Sequence, residues 1–255
     1  MGVEREPGAT TACSTPRANH SSKRVRHIVT AAEGVACIAS IVASVRVKIF
    51  QDIVCPWCYI GKSRFDDALS ILRQERPNLQ VDITFGPYQL DPTAPTKDPR
   101  PVVEAYATKF GGPEKAKEIL QRVTDAAGQA GLEMNMDIAK RANTRVAHRL
   151  LLACPSEVSP TLLDALYRAY FVEGKDISDQ STLRVIANQS GMNRELVDAV
   201  LDGELMDEEF DAYIRTAQDI GVTAVPTFVF ADQWAVPGAQ DAEFFLRVFN
   251  KIADA

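Results

Sequence analysis

The pattern of apolar and polar positions divides the chain of 255 residues into stretches of different period. Val45, Val47 and Ile49, followed by Phe50, Ile53 and Val54, predict a largely buried β-strand that stops at Cys55. Beyond it Phe65, Leu69 and Leu72, with Ile60, Ala68 and Ile71 near them, recur at helical spacing up to the break at Arg76-Pro77-Asn78. A helix therefore begins at or inside the CPWC of Cys55 to Cys58. Leu79, Val81, Ile83 and Phe85 then alternate with Gln80, Asp82 and Thr84, which predicts a second, half-exposed strand. The three elements make a β-α-β unit with two thiols at its strand-to-helix turn.

The run DPTAPTKDPR holds four prolines when Pro101 is included, and predicts a stiff extended crossing. Helical period then dominates to about Ile220, over Val102 to Phe110, Glu114 to Gln129, Thr144 to Cys154, Ser159 to Glu173, Ser181 to Gln189, Arg194 to Leu201 and Asp207 to Asp219. Gly191, Asn193, Gly203 and Gly221 fall where caps belong. Strand character returns at Val225 to Phe230 and Trp234 to Val236, and Ala242 to Ile252 forms a last helix. Two strands before a long helical block and two after it suggest one sheet interrupted once. The expected organisation is an N-terminal extension (1–44), a sheet-forming first part (45–98), an inserted helical domain (99–220) and a second part of the sheet domain (221–255).

Composition narrows the function classes. The chain is 46% hydrophobic, enough for a real core, and its net charge of −6 is spread out, so no basic face calls for nucleic acid. The apolar stretch Gly34 to Val45 follows the basic cluster Ser21 to His27, the order of a signal peptide. It is shorter than the ~20 residues that span a bilayer, and Glu33 interrupts the approach to it. Residues 1–44 read as a disordered extension or translated upstream sequence, with an export signal or mitochondrial presequence as alternatives. Five cysteines with one close pair are not a secreted disulfide framework, so a reducing, cytoplasmic location is expected, and no membrane partner.

That close pair carries the chemistry. At a helix N-terminus the unpaired N–H groups and the macrodipole favour negative charge, so Cys55 reads as the attacking thiolate. Cys58, one turn on, stands where a second sulfur closes a small ring or resolves a mixed disulfide. Pro56 stiffens the turn where its missing N–H costs nothing. A zinc site is disfavoured, because no second CxxC exists and the only histidines are His20, His27 and His148. Pro226, in GVTAVPTFVF, sits at a strand entry where proline is tolerated. A cis Val225-Pro226 bond there would present the Val225 backbone beside Cys55 to an extended substrate.

The stretches CPWCYIGK, FGPYQLDP, NTRVAHRLL, AYFVEGKDISD, GVTAVPTFVF and VPGAQ, in this order, resemble the FrnE-like group of DsbA-family oxidoreductases in the thioredoxin superfamily. That group is related to 2-hydroxychromene-2-carboxylate isomerases and kappa-class glutathione transferases. The likeness runs from about Arg46 to Ile252. It implies an α/β, thioredoxin-like fold with a large inserted helical domain. It also implies that Cys55 is the nucleophile, Cys58 the resolving thiol and Pro226 a cis-proline facing them. The glutathione-using relatives typically carry a serine at the catalytic position and lack the second cysteine, so the intact pair favours dithiol exchange. The redox-active Cys55-Cys58 disulfide then replaces any cofactor, with glutathione as an optional thiol. The partners are protein or small-molecule thiols and disulfides, and a homodimer is one option for the assembly.

Several residues keep two readings. Thr144 and His148 share a helix face and, with Asn143, either line a cleft above the CxxC or serve as an N-cap and an ordinary half-buried histidine. Gln240 and Asp241 precede the last helix, where they hold a carboxylate or cap the helix. Trp57 is a spacer or an apolar platform for substrate. Asp52 accepts a proton from Cys58 or ends its strand, and Asp202 to Phe210 reads as a solvated helix start. The leading activity is thiol-disulfide oxidoreductase or isomerase. The alternatives are a glutathione-dependent isomerase or transferase acting on an aromatic or polyketide-like substrate, and a non-catalytic module that holds a partner in its helical cleft.

Overall fold

A computed structural model describes residues 44–254. The expected extension, with Cys13 and Cys37, lies outside the described residues apart from Ser44, which already belongs to the first strand. In chain order the elements are β1 (Ser44–Gln51), α1 (Pro56–Glu75), β2 (Gln80–Pro87), α2 (Val102–Phe110), α3 (Pro113–Gln129), α4 (Arg145–Ala153), α5 (Ser159–Phe171), α6 (Gln180–Gln189), α7 (Arg194–Leu201), α8 (Asp207–Asp219), β3 (Thr227–Phe230), β4 (Trp234–Pro237) and α9 (Ala242–Ala253). The sheet order is β2-β1-β3-β4. β1 and β2 are parallel across the α1 crossover, whereas β3 runs antiparallel to both β1 and β4. The strands on either side of the helical insertion thus belong to one sheet, with β1 and β3 at its centre.

Both faces of that centre are covered, which is why β1 passes from alternation into continuous burial at Phe50 and Gln51. On one face Phe65 of α1 packs against Phe228 of β3 and Phe245 of α9, with ring centroids 5.2 and 5.3 Å away. On the other, Phe50 meets Ala217 of α8 and Val222. Gly86 of β2 is required there, since a Cβ would lie 2.8 Å from the Phe50 ring.

The Pro-rich crossing is non-helical, as its composition predicts, but it turns and bends where an extended run was expected, with Ala94 N–H donating to Asp91 O at 3.1 Å and Asp98 at φ 49; further backbone hydrogen bonds pin it. Val102 N–H donates to Ala139 O at 2.8 Å, and Asn143 N–H donates to Pro95 O at 3.0 Å. The helical block joins the sheet in one contiguous buried cluster. Tyr59 of α1 stacks on Tyr167 and Phe171 of α5 with centroids 5.0 and 5.6 Å away. Buried Lys62 of α1 reaches Asp164 of α5 at 2.8 Å. The acidic start of α8 is solvated at Asp202, Glu204, Glu208 and Glu209 and departs from that reading at Asp207, which pairs with Arg145 at 2.9 Å and lies 3.5 Å from Arg149, both on α4. Arg145 also lies 4.5 Å over the ring of buried Phe210. Acidic residues in a first turn suit the macrodipole with or without a partner, so sequence alone does not separate the two cases.

Candidate functional site

The chain leaves β1 at Gln51, turns through buried Asp52 and Ile53, and enters α1 with Cys55 at the N-cap position (φ −88, ψ 111). The turn is closed by Cys55 N–H donating to Asp52 O at 3.0 Å and Cys58 N–H donating to Cys55 O at 3.0 Å. Pro56 occupies the first helical turn, where no intrahelical N–H partner is needed. Cys55 and Cys58 carry free thiols, both buried, and Trp57 between them is 42% exposed. The Cys55 side chain does not cap the helix amides. Its Sγ donates instead to the carbonyl oxygen of Val225, 3.7 Å away and 170 residues later.

Val225-Pro226 is a cis peptide. Its loop sits against α1 because residue 61 is glycine: a Cβ there would come within 3.0 Å of Pro226 Cγ and 3.3 Å of Ala239. Four expected site residues, Cys55, Cys58, Val225 and Pro226, are therefore brought together, with Trp57 exposed at the turn. Among the described residues no backbone hydrogen bond is donated by Val225 N–H.

Beneath the turn lies a polar network. Asp52 Oδ2 accepts from Leu90 N–H at 2.7 Å, and Asp52 Oδ1 lies 3.2 Å from His148 Nε2. The same Nε2 is 3.1 Å from Tyr88 O. A carbonyl only accepts, so Nε2 carries the hydrogen and shares it between the two oxygens. Tyr167 donates its hydroxyl to Gln51 Oε1 at 3.0 Å, while Gln51 Nε2 has no partner among the described residues. Burial pushes the Cys58 thiol well above its ordinary value, and neighbouring Cys55 pushes it further. Burial, and to a lesser degree Cys55, push the Tyr106 phenol up to about 12.

Residues 46–250 match the family described as the DSBA-like thioredoxin domain. The chain belongs to that family. Among solved structures, this DsbA-like domain is similar to the probable DsbA oxidoreductase SCO1869 from Streptomyces coelicolor, at 34% identity and a TM-score of 0.73, covering 81% of this chain and 89% of that one. Uncharacterized protein YwbO of Bacillus subtilis (strain 168) is 24% identical over 81% of this chain and 96% of its own length. The cytosolic disulfide reductase DsbM from Pseudomonas aeruginosa, solved with GSH, shares the fold at 16% identity and a TM-score of 0.56, covering 82% of this chain and all (100%) of that one. Together these make the chain an enzyme of the thioredoxin superfamily and an oxidoreductase of the DsbA-like kind.

The other expected site residues of this DsbA-like domain are held by hydrogen bonds of their own. His148 is not half-buried but fully enclosed, its place fixed by Asp52 and Tyr88. Thr144 is buried and makes no capping bond; its hydroxyl accepts from Gln89 Nε2 at 3.4 Å. Asn143 supplies the turn chemistry instead, accepting from Arg145 N–H at 3.0 Å and donating to Pro92 O and Ala94 O at 3.2 and 3.1 Å. Gln240 donates to Pro237 O at 2.8 Å, and Asp241 caps α9 by accepting from Phe244 N–H at 2.7 Å. Sequence reasoning missed Tyr106, Gln51 and Tyr167, which no short-range spacing links to the cysteines. Gly61 lay within the recognised CPWCYIGK run, and an isolated glycine inside a helix is the signal that marks a close approach. Among the described residues no three His, Cys, Asp or Glu side chains are grouped to hold a metal ion, and no helix is long and apolar enough to cross a membrane.

Proposed function

We propose that the protein is a protein thiol-disulfide oxidoreductase that works through a Cys55-Cys58 dithiol. One observation carries the reading: the Cys55 sulfur stands at the N-terminus of α1, against the Val225 carbonyl that precedes cis-Pro226, with a buried, proton-retaining Cys58 one turn behind. Cys55 stands where the first turn of a helix suits an attacking sulfur, and the buried, raised Cys58 stays a thiol, so the roles of the two sulfurs separate.

Cys55 thiolate attacks one sulfur of a substrate disulfide, forming a mixed disulfide and releasing the other sulfur as a thiolate that takes up a proton. Cys58 then attacks Cys55 Sγ, its proton passing to the departing substrate sulfur. The substrate leaves as a dithiol and the Cys55-Cys58 disulfide forms; run backwards, the same steps oxidise a substrate dithiol. The unpaired Val225 N–H suits strand-like pairing with an extended peptide, and exposed Trp57 gives it an apolar surface. Glutathione, present in the DsbM structure, is the thiol we assign to reduction of the disulfide, in a reducing compartment such as the cytosol that DsbM occupies.

Cys55→Ser is expected to abolish reduction of insulin disulfides, and Cys58→Ala to accumulate a mixed disulfide on Cys55 detectable by mass spectrometry. Undiminished insulin reduction by Cys55→Ser would remove the proposal.

A further inference from the structure

A hollow of about 130 Å³ opens beside the nucleophile, lined by Val54, which precedes Cys55 in the chain, and by Leu90, Ala105, Tyr106, Phe110 and Tyr170. Tyr170 is buried and Tyr106 half-buried, whereas Leu90 and Phe110 form a lip, 46% and 37% exposed. A whole small-molecule ligand needs roughly 300 to 1,000 Å³. This hollow is the size of a single large side chain. Three charged residues stand at its rim. Asp91 and Arg141 neutralise one another at 2.7 Å. Lys109 has no carboxylate partner among the described residues, and its ammonium lies 5.6 Å from the Phe110 ring centroid, so the rim is left net positive. Outside it a wider hollow of about 640 Å³ shares Ala105 and Lys109 and is bordered by both signs of charge, Arg100 against Asp98 and Glu104.

We propose that this hollow is a specificity subsite for a peptide substrate, receiving a large apolar side chain next to the reactive cysteine, with Lys109 favouring a carboxylate on the residue beyond. The inference rests on the oxidoreductase reading and names its substrate class. The geometry supports one extended chain on the site: its cysteine at Cys55, its backbone along Val225 on one side, and its neighbouring side chain on the other, between Val54 and Tyr106. Burying a Leu or Phe side chain is worth roughly 1.5 to 3 kcal/mol when complete, and about half of that already gives tenfold discrimination. The single cation acts in water beside mixed charges, so its effect is about threefold and screened by salt.

The test uses the reduced Cys58→Ala protein and short peptides whose one cysteine is disulfide-linked to 2-mercaptoethanol. The rate at which the peptide becomes attached to Cys55 is followed by mass spectrometry. Peptides with Leu or Phe next to cysteine are expected to react about tenfold faster than the Ser peptide, with Glu beyond them preferred to Lys at low salt only. Ala105→Phe, which fills the hollow, is expected to bring the Leu-to-Ser ratio close to one. Phe110→Ser, on the exposed lip, lowers the same ratio without burying new volume. Lys109→Glu reverses the charge preference. Equal rates for Leu and Ser peptides, or a ratio that survives both Ala105→Phe and Phe110→Ser, overturns the subsite while leaving the dithiol chemistry standing. Failure of every peptide to attach overturns both.

Discussion

Cys58 and His148 are buried groups whose surroundings decide their behaviour. The Cys58 thiol is held well above its ordinary value, first by burial and then by Cys55. In the unfolded chain a cysteine ionises near pH ~8.5. The folded protein therefore binds the proton more tightly above that pH, and its stability falls as pH rises towards the folded value. Reduced wild type is expected to lose up to about 1.4 kcal/mol per pH unit more than Cys58→Ala once pH passes ~8.5, read from urea unfolding with reductant present. Parallel profiles for the two proteins would contradict a proton-retaining thiol at this position. His148→Phe removes the shared hydrogen from Asp52 Oδ1 and Tyr88 O and leaves a buried carboxylate without that donor. A loss of about 2 to 4 kcal/mol is expected from the urea midpoint, with His148→Gln recovering part of it through its own N–H groups. The sequence marks His148 only as a histidine on a helix, because its partner Asp52 lies 96 residues away in another element.

Elements were the most legible level, since period and capping act over a few residues. The expected spans of α2, α7 and α8 coincide with the observed ones, and Asn193 caps α7 by accepting from Leu196 N–H. Other ends depend on side-chain aim that sequence does not fix. Thr144 has the right chemistry for a cap but turns inward, and Asn143 bonds the Pro-rich crossing and the start of α4 together. Asp179 caps α6, accepting from Thr182 N–H at 2.8 Å. Bonds from Ser181 and Thr182 draw its carboxyl down to about 2. Asp179→Ala is expected to cost about 1 kcal/mol and Asp179→Asn much less. The cap's ionic contribution is present above the ordinary carboxyl value of ~3.9 and is lost as pH falls towards the lowered one, so wild type and Asp179→Asn should converge in acid melts.

Across the whole molecule the helical block and the sheet share one buried cluster, tied by Tyr59 to Tyr167 and Phe171 and by Lys62 to Asp164. Such continuity predicts one cooperative transition. Trp57 and Trp234, the only two tryptophans, sit beside the sheet, whereas far-UV circular dichroism reports chiefly on the helices between Val102 and Asp219. Fluorescence and dichroism midpoints in urea are therefore expected to coincide, and separate midpoints would show that the insertion unfolds by itself. The sequence by itself determined the periods of strand and helix, the non-helical character of the Pro-rich crossing and the placing of two thiols at a helix start, since each follows from chemistry within a few neighbouring positions. Tertiary structure alone decided that β3 lies between β1 and β4, that the Val225 carbonyl meets Cys55, that His148 holds Asp52 and that Tyr106 walls a hollow beside the nucleophile. Those distances join residues far apart in the chain, and they are fixed by how the covered sheet and the helical block fill their common core.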